Sequence, residues 1–287
     1  MSRVLAVHAH PDDESLWTGI TVAELVDRGH EVHVLTCTLG EEGEVIPWDL
    51  RHLEGAAGDP LAGHRLDELR AALGALGVTG HLLGPGRGTR YRDSGMAGSA
   101  ASLHPRAFAG APVREVADAI AEVLEAVRPD LVITYDRHGG YGHPDHIRVH
   151  DATRLAVAQL GDRDRPTLAV NLIPESWARE DRSSLAAADL PGGWEVLGEH
   201  AAYPPSVVPD DLVTHVVVAP IRLAEQKAAL RAHATQVVVD GDAYALSNRV
   251  AARLAGREAY AVIEPSTGEL LPGDGRWRDL EELLTVR

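Results

Sequence analysis

The sequence predicts an α/β fold, a mostly parallel sheet with helices on both faces, and three observations carry that reading. Short β-rich runs alternate with longer runs of helical periodicity through the first half of the chain. Phe108 is the only phenylalanine, so the core must be built from Leu, Val, Ile and Ala, which suits helices packed on a sheet. Long irregular segments follow several strand ends, and loops of such length inside a compact domain are uncommon unless they build a site.

Residues 3–7 read as the first strand. Residues 14–27 follow as a helix, with Leu16, Ile20, Val22, Leu25 and Val26 in an apolar stripe and Gly29 as its stop. Residues 31–37 are strand two. A Gly- and acid-rich loop over 38–63 leads to a helix over 65–76, where Leu66, Leu69, Leu73 and Leu76 share one face. A weak third strand at 81–83 precedes the irregular stretch 84–112. The helix 113–127 is ended by Pro129 and gives way to strand four at 130–135. A helix from 145 to about 160 and a strand at 167–173 complete the regular part. Beyond it, 212–218 reads as a strand, 222–234 as a helix and 260–263 as an edge strand. No repeat and no Pro/Gly/Ser-rich linker divides the chain. The reading is one domain over 1–287, with a smaller C-terminal subdomain from about 165 onward left open.

The 287 residues are 45% apolar and 24% charged, an ordinary globular composition. A net charge of −16 with no basic block repels a nucleic-acid backbone, which excludes nucleic acid as a partner. The single Cys37 cannot form an intrachain disulfide and fits a reducing, cytoplasmic compartment. Met1 runs almost directly into a strand-like Val4 to Val7, unlike a secretory signal, and no apolar run is long enough to span a membrane. Nothing in the sequence sets an oligomeric state.

Two segments concentrate the chemistry. His8-Ala9-His10-Pro11-Asp12-Asp13-Glu14 packs two imidazoles and three carboxylates into the turn after strand one, and Gly139-Gly140-Tyr141-Gly142-His143-Pro144-Asp145-His146 follows strand four. In a doubly wound sheet of order 3-2-1-4-5, strands one and four are neighbours where the order reverses, and ligands bind outside their carboxyl ends. The two segments then meet. Their mixed imidazole and carboxylate donors suit a divalent cation with one position left open, and His10, Asp13 and His146 are taken as its ligands. Zn²⁺ is expected, one per chain, with Fe²⁺ and Co²⁺ also suited to these donors. Such a site activates water and polarises a carbonyl, leaving the protein to supply a base and a stabiliser of developing charge.

Asp12 is the candidate base, with helix capping as its ordinary alternative. His143 is either a cation facing the oxyanion or the proton donor to a departing amine, Tyr141 hydrogen-bonds the same oxygen, and Asp145 orients a histidine. Glu41, Glu42 and Glu44 read as a solvated loop face, and His8, His33, His81, His150 and His233 as core-edge or surface residues. A dinucleotide site is excluded, because the glycine fingerprint after strand one is replaced by carboxylates that repel a pyrophosphate.

At His10-Pro11-Asp12-Asp13-Glu14 and His143-Pro144-Asp145-His146 the sequence resembles the LmbE-like, or PIG-L, family of zinc-dependent N-acetylglucosamine deacetylases. The resemblance implies a Rossmann-like fold, a small amino-sugar substrate, Asp12 as base and the three ligands above. Residues 36–46, 92–98 and 139–142 are similar to the branch of the family in mycothiol metabolism, which holds a biosynthetic deacetylase of N-acetylglucosaminyl-inositol and an amidase of mycothiol S-conjugates. The run Leu39-Gly40-Glu41-Glu42-Gly43-Glu44 and Ser15 look like the deacetylase. By the same resemblance Arg65, Asp93 and Glu44 hold sugar or inositol hydroxyls. Similarity runs from Val4 through the 227–236 helix and is weakest over 161–211, while Arg137 and His138 depart from the family's pattern before the glycines.

Overall fold

The structure, a computed structural model, describes residues 1–84, 89–161 and 165–284. Residues 85–88 of the irregular stretch 84–112 and 162–164 of the stretch 161–211 therefore lie outside the described residues. The chain runs β1 (Arg3–His8), α1 (Asp13–Trp17), α2 (Gly19–Asp27), β2 (Glu31–Thr36), α3 (Pro60–Leu76), β3 (Thr79–Leu82), α4 (Val113–Val127) and β4 (Leu131–Tyr135). It continues with the single turn α5 (Gly139–Gly142), α6 (Pro144–Gln159), β5 (Thr167–Pro174), α7 (Glu175–Ala186), β6 (Val207–Val208), β7 (His215–Val218) and α8 (Leu223–Ala232). Last come β8 (Val238–Asp240), β9 (Ala243–Ala245), β10 (Ala251–Arg253), β11 (Arg257–Val262) and β12 (Arg278–Asp279).

The main sheet has the order β12-β7-β11-β5-β4-β1-β2-β3, with β6 beside the end of β5. Strands β1 to β5 are mutually parallel in the expected 3-2-1-4-5 order. Alternation along β1 divides the core between the two faces. Val4 and Ala6 pack with Ile20 and Leu25 of α2 and Leu69 and Leu73 of α3. Leu5 and Val7 pack on the other face with Ile120 of α4 and Val149 and Val157 of α6. Helices thus cover both faces, and the strand order reverses between β1 and β4, where both motif segments emerge.

Several elements differ from their predicted form. The helix expected over 14–27 is broken at Thr18 into α1 and α2. Thr18 Oγ1 donates to Glu14 O at 3.0 Å, and the new N-terminus at Ile20 and Thr21 is capped by the Glu258 carboxylate, 2.9 Å from each N–H. That cap comes from β11, far along the chain, so local periodicity carries no trace of it. Helix α3 starts at Pro60 rather than 65, because proline is accepted in a first helical turn where its missing N–H costs nothing. The strand expected at 212–218 is shortened to β7 behind a 3₁₀ turn, Asp210–Leu212. The strand at 260–263 is not at an edge: β11 lies antiparallel between β5 and β7, with Tyr260 buried.

Candidate metal centre and active site

His10 leaves the end of β1 and His146 lies in the first turns of α6, so the switch point between β1 and β4 brings them together. His10 Nδ1 is 3.3 Å from Asp13 Oδ2, His146 Nε2 is 3.4 Å from the same oxygen, and the two nitrogens are 3.3 Å apart. Three lone-pair atoms this close need positive charge between them. A tetrahedral ion with ligands at about 2.0–2.1 Å spaces them about 3.3–3.4 Å apart, so the triangle fits such a cation with one position open. His10, His143 and His146, and His10, Asp93 and Asp145, also bring donor atoms within 4.8 Å of one another. The tighter triangle is the better fit, since it engages both histidines through separate nitrogens and keeps the other carboxylates behind His10. All three of its residues are buried.

The surrounding charge asks for a cation as well. Burial lowers the affinity of His10 for a proton, yet Asp93, Asp13 and Asp145 together hold its pKa well above the usual imidazole value. Burial raises Asp13, but His146 and His10 hold it well below the ordinary carboxylate range. Behind the triangle, His10 Nε2 faces Asp145 Oδ2 at 3.2 Å and Asp93 Oδ1 at 3.5 Å. Asp145 Oδ2 also accepts the Ser94 N–H at 2.9 Å. Asp145 thus orients His10, as a carboxylate behind a ligand histidine does. His146 is held differently, by the Tyr135 ring stacked on it at 4.1 Å and 10°. Tyr135 was missed in the sequence: strict alternation groups it with Leu131 and Ile133, but at the strand end it packs on the opposite face with Val132.

Asp12 sits one residue before Asp13 of the donor triangle with φ 111°, a conformation rare outside glycine. Its Oδ2 accepts from Arg65 Nη2 at 3.1 Å. Burial pushes its carboxyl up to about 7, against the pull of Arg65 and with a further push from Asp13. Arg65, expected among residues holding substrate hydroxyls, also donates to Gly40 O at 2.7 Å and to Pro11 O. It reaches the cleft wall, where Nη2 is committed to Pro11 and Asp12 and Nη1 to Gly40, while the buried Nε has no partner.

His143 caps α6, and its Nδ1 accepts the Asp145 N–H at 3.2 Å. That bond leaves the ring's proton on Nε2. Burial, then the neighbouring His10 and His146, push its pKa down to about 3. Of the two expected forms of His143, burial and the neighbouring histidines favour the neutral ring over the cation. Tyr141 stands at the mouth, 47% exposed, its ring parallel to Trp17 at 6.4 Å and 12°. A side chain at Gly140 would strike that Trp17 ring, and one at Gly139 would strike His146, so both glycines are required by close approach as well as by positive φ. The unexpected Arg137 and His138 are exposed, and Asp136 holds the loop through the His138 and Gly140 N–H groups.

Asp93 is buried beside His10, and its two oxygens accept the Gly95 and Glu42 N–H groups at 2.8 and 3.3 Å. Glu44 is exposed on the cleft wall. Glu41 is not part of a solvated face: it is buried and accepts the Asp93 N–H at 3.0 Å. The cleft measures 880 Å³ and extends from Asp12 and Asp13 to Trp177, Asn248, Arg253 and Arg257. Sequence reading missed this far wall, because the segments that build it fall within the irregular remainder. His233, read as a core-edge or surface residue, is fully buried against Glu14.

Comparison with known proteins agrees with this architecture. Residues 5–157 match the family model for PIG-L, GlcNAc-PI de-N-acetylase. A 1D-myo-inositol 2-acetamido-2-deoxy-alpha-D-glucopyranoside deacetylase of Actinosynnema mirum is 46% identical, over 97% of this chain and 95% of its own. One of the same name from Acidothermus cellulolyticus is 45% identical, over 96% and 93%. Among solved structures, the N,N'-diacetylchitobiose deacetylase from Pyrococcus horikoshii is similar in fold, with a TM-score of 0.50 and 22% identity over 82% of this chain and 70% of that one. With a family match over more than half its length and such identity along nearly all of it, the chain belongs to the PIG-L family of GlcNAc-PI de-N-acetylases.

Proposed function

We propose that the protein hydrolyses the N-acetyl group of N-acetylglucosaminyl-inositol, giving glucosaminyl-inositol and acetate, with one Zn²⁺ per chain held by His10, Asp13 and His146. The observation that carries the reading is the donor triangle of 3.3, 3.3 and 3.4 Å with Asp12 beside it in a sugar-sized cleft. The names of the relatives from Actinosynnema mirum and Acidothermus cellulolyticus support the substrate. A bound divalent cation supplies Lewis acidity toward the acetyl carbonyl and lowers the pKa of water.

The chain's own residues do the rest. Asp12 takes a proton from the attacking water and returns it to the nitrogen as the C–N bond breaks. His143 donates its Nε2 proton in a hydrogen bond to the oxygen that becomes negative, and Tyr141 adds a second donor from the mouth. Arg65 holds the Asp12 carboxylate, while Asp93 and Glu44 accept from substrate hydroxyls. Residues 1–287 act as one domain in this reading, since β5, β7, β11 and β12, all from beyond 165, join the same sheet as β1. Among the described residues no helix is long and apolar enough to cross a membrane, which accords with a cytoplasmic enzyme of a small amino sugar.

The test compares N-acetylglucosaminyl-inositol, plain N-acetylglucosamine and a mycothiol S-conjugate under one metal condition. The first is turned over fastest. Faster cleavage of the S-conjugate would instead place the protein with the amidases.

A further inference from the structure

Asp12 is held in its unusual backbone conformation by a buried pair that the chemistry above does not use. Its N–H donates to Glu14 Oε2 at 3.0 Å, and the other oxygen of that carboxylate, Oε1, meets His233 Nε2 at 2.7 Å and accepts from Ser15 Oγ. Glu14 and His233 are both 0% exposed. His233 stands just past the C-terminus of α8, where the helix dipole favours a positive imidazole. The same helix grips the turn a second time, through Gln226 Nε2 on Ser15 O at 3.1 Å. Two residues beyond His233, Thr235 donates its N–H and hydroxyl to Glu68 of α3, the helix that carries Arg65.

A non-glycine residue at φ 111° persists only where its surroundings over-determine it. Here the carboxylate of Asp12 is fixed by Arg65 and its peptide by Glu14; the short segment after α8 holds Glu14 directly through His233 and bonds the helix that carries Arg65 at Glu68. Both oxygens of the Glu14 carboxylate are engaged, Oε2 by the backbone of Asp12 and Oε1 by Ser15 and the imidazole of His233.

We propose that Glu14 and His233 are positioning residues for the deacetylation, holding the Asp12 peptide so that its carboxylate faces the reacting water. The proposal rests on Asp12 being the base. Through His233 the C-terminal part of the chain takes part in a site whose reacting groups all lie in the first half. A small displacement of a reacting group costs up to about 10²-fold in rate, so His233→Ala lowers kcat by roughly 10 to 100-fold with KM little changed. Bound metal stays at its normal stoichiometry, because neither residue touches the triangle. His233→Gln, whose amide can still donate to Glu14, recovers most of the rate.

The deciding experiment is a double-mutant cycle on metal-loaded protein, assayed well below its melting temperature, with metal content measured for every variant. If His233 acts through Asp12, His233→Ala costs little more once Asp12→Asn is present, since coupled residues are non-additive. Two losses that multiply, or a metal-loaded His233→Ala with unchanged kcat, overturn the positioning role. His233→Leu, which removes the donor to Glu14 but keeps the volume, provides the same reading if His233→Ala does not fold. Failure of the underlying assignment shows separately, as near-normal turnover of Asp12→Asn by itself, and removes the proposal with it.

Discussion

His10→Ala, Asp13→Ala and His146→Ala each lose bound metal and activity together. The three donors form a triangle with edges of 3.3 to 3.4 Å, and removing one leaves two. Lewis-acid stabilisation is worth several kcal/mol. At about 1.4 kcal/mol per decade the loss is roughly 10³-fold or more. The three variants differ in what else they disturb. His10→Ala also strips Asp93 and Asp145 of their shared partner, whereas His146→Ala frees the face of Tyr135. Metal analysis of the purified variants, beside acetate release, is the check. Stoichiometric metal and full activity in any one of them would remove that residue from the ligand set.

Asp12→Asn separates the base from the ligand beside it. The amide keeps the size and the Arg65 contact through its oxygen but cannot take a proton. Metal therefore stays while turnover falls about 10² to 10⁴-fold, the usual range for general acid–base catalysis. The pH profile gives the sign. Burial raises the Asp12 carboxyl to about 7, so its basic form grows as pH rises through that value and is lost as pH falls below it. A bound divalent cation draws the value down again. The acidic limb of the kcat profile belongs to this group and disappears in Asp12→Asn. Retained metal, normal turnover and an unchanged acidic limb would leave Asp12 as a structural residue.

The meeting of the two motifs was legible in the sequence because each is short and follows directly on a strand. His10 to Glu14 lie within one turn of the end of β1, and His143 to His146 within one turn of the loop after β4. Parallel topology alone then brings them together. Groups supplied across the fold were not legible. Glu258 breaks the first helix by capping Ile20 and Thr21 from β11, and Tyr135 supports His146 only because β4 loses its alternation at the last residue. From sequence Arg65 reads as either a substrate-binding or an exposed helix residue, and His233 as a core-edge or surface one. What assigns them is burial beside Asp12 and Glu14, a property of tertiary packing that no local pattern records. His143 shows the same limit for charge: sequence marks the imidazole, but burial and the neighbouring His10 and His146, which lower its pKa, belong to tertiary packing.

Metal-free protein titrated with Zn²⁺, with acetate release from N-acetylglucosaminyl-inositol followed at each step, tests metal-dependent deacetylation most directly. Activity is expected to rise in proportion to the ion bound at His10, Asp13 and His146 and to level off at one per chain. Acetate released at the full rate by the metal-free protein would contradict it.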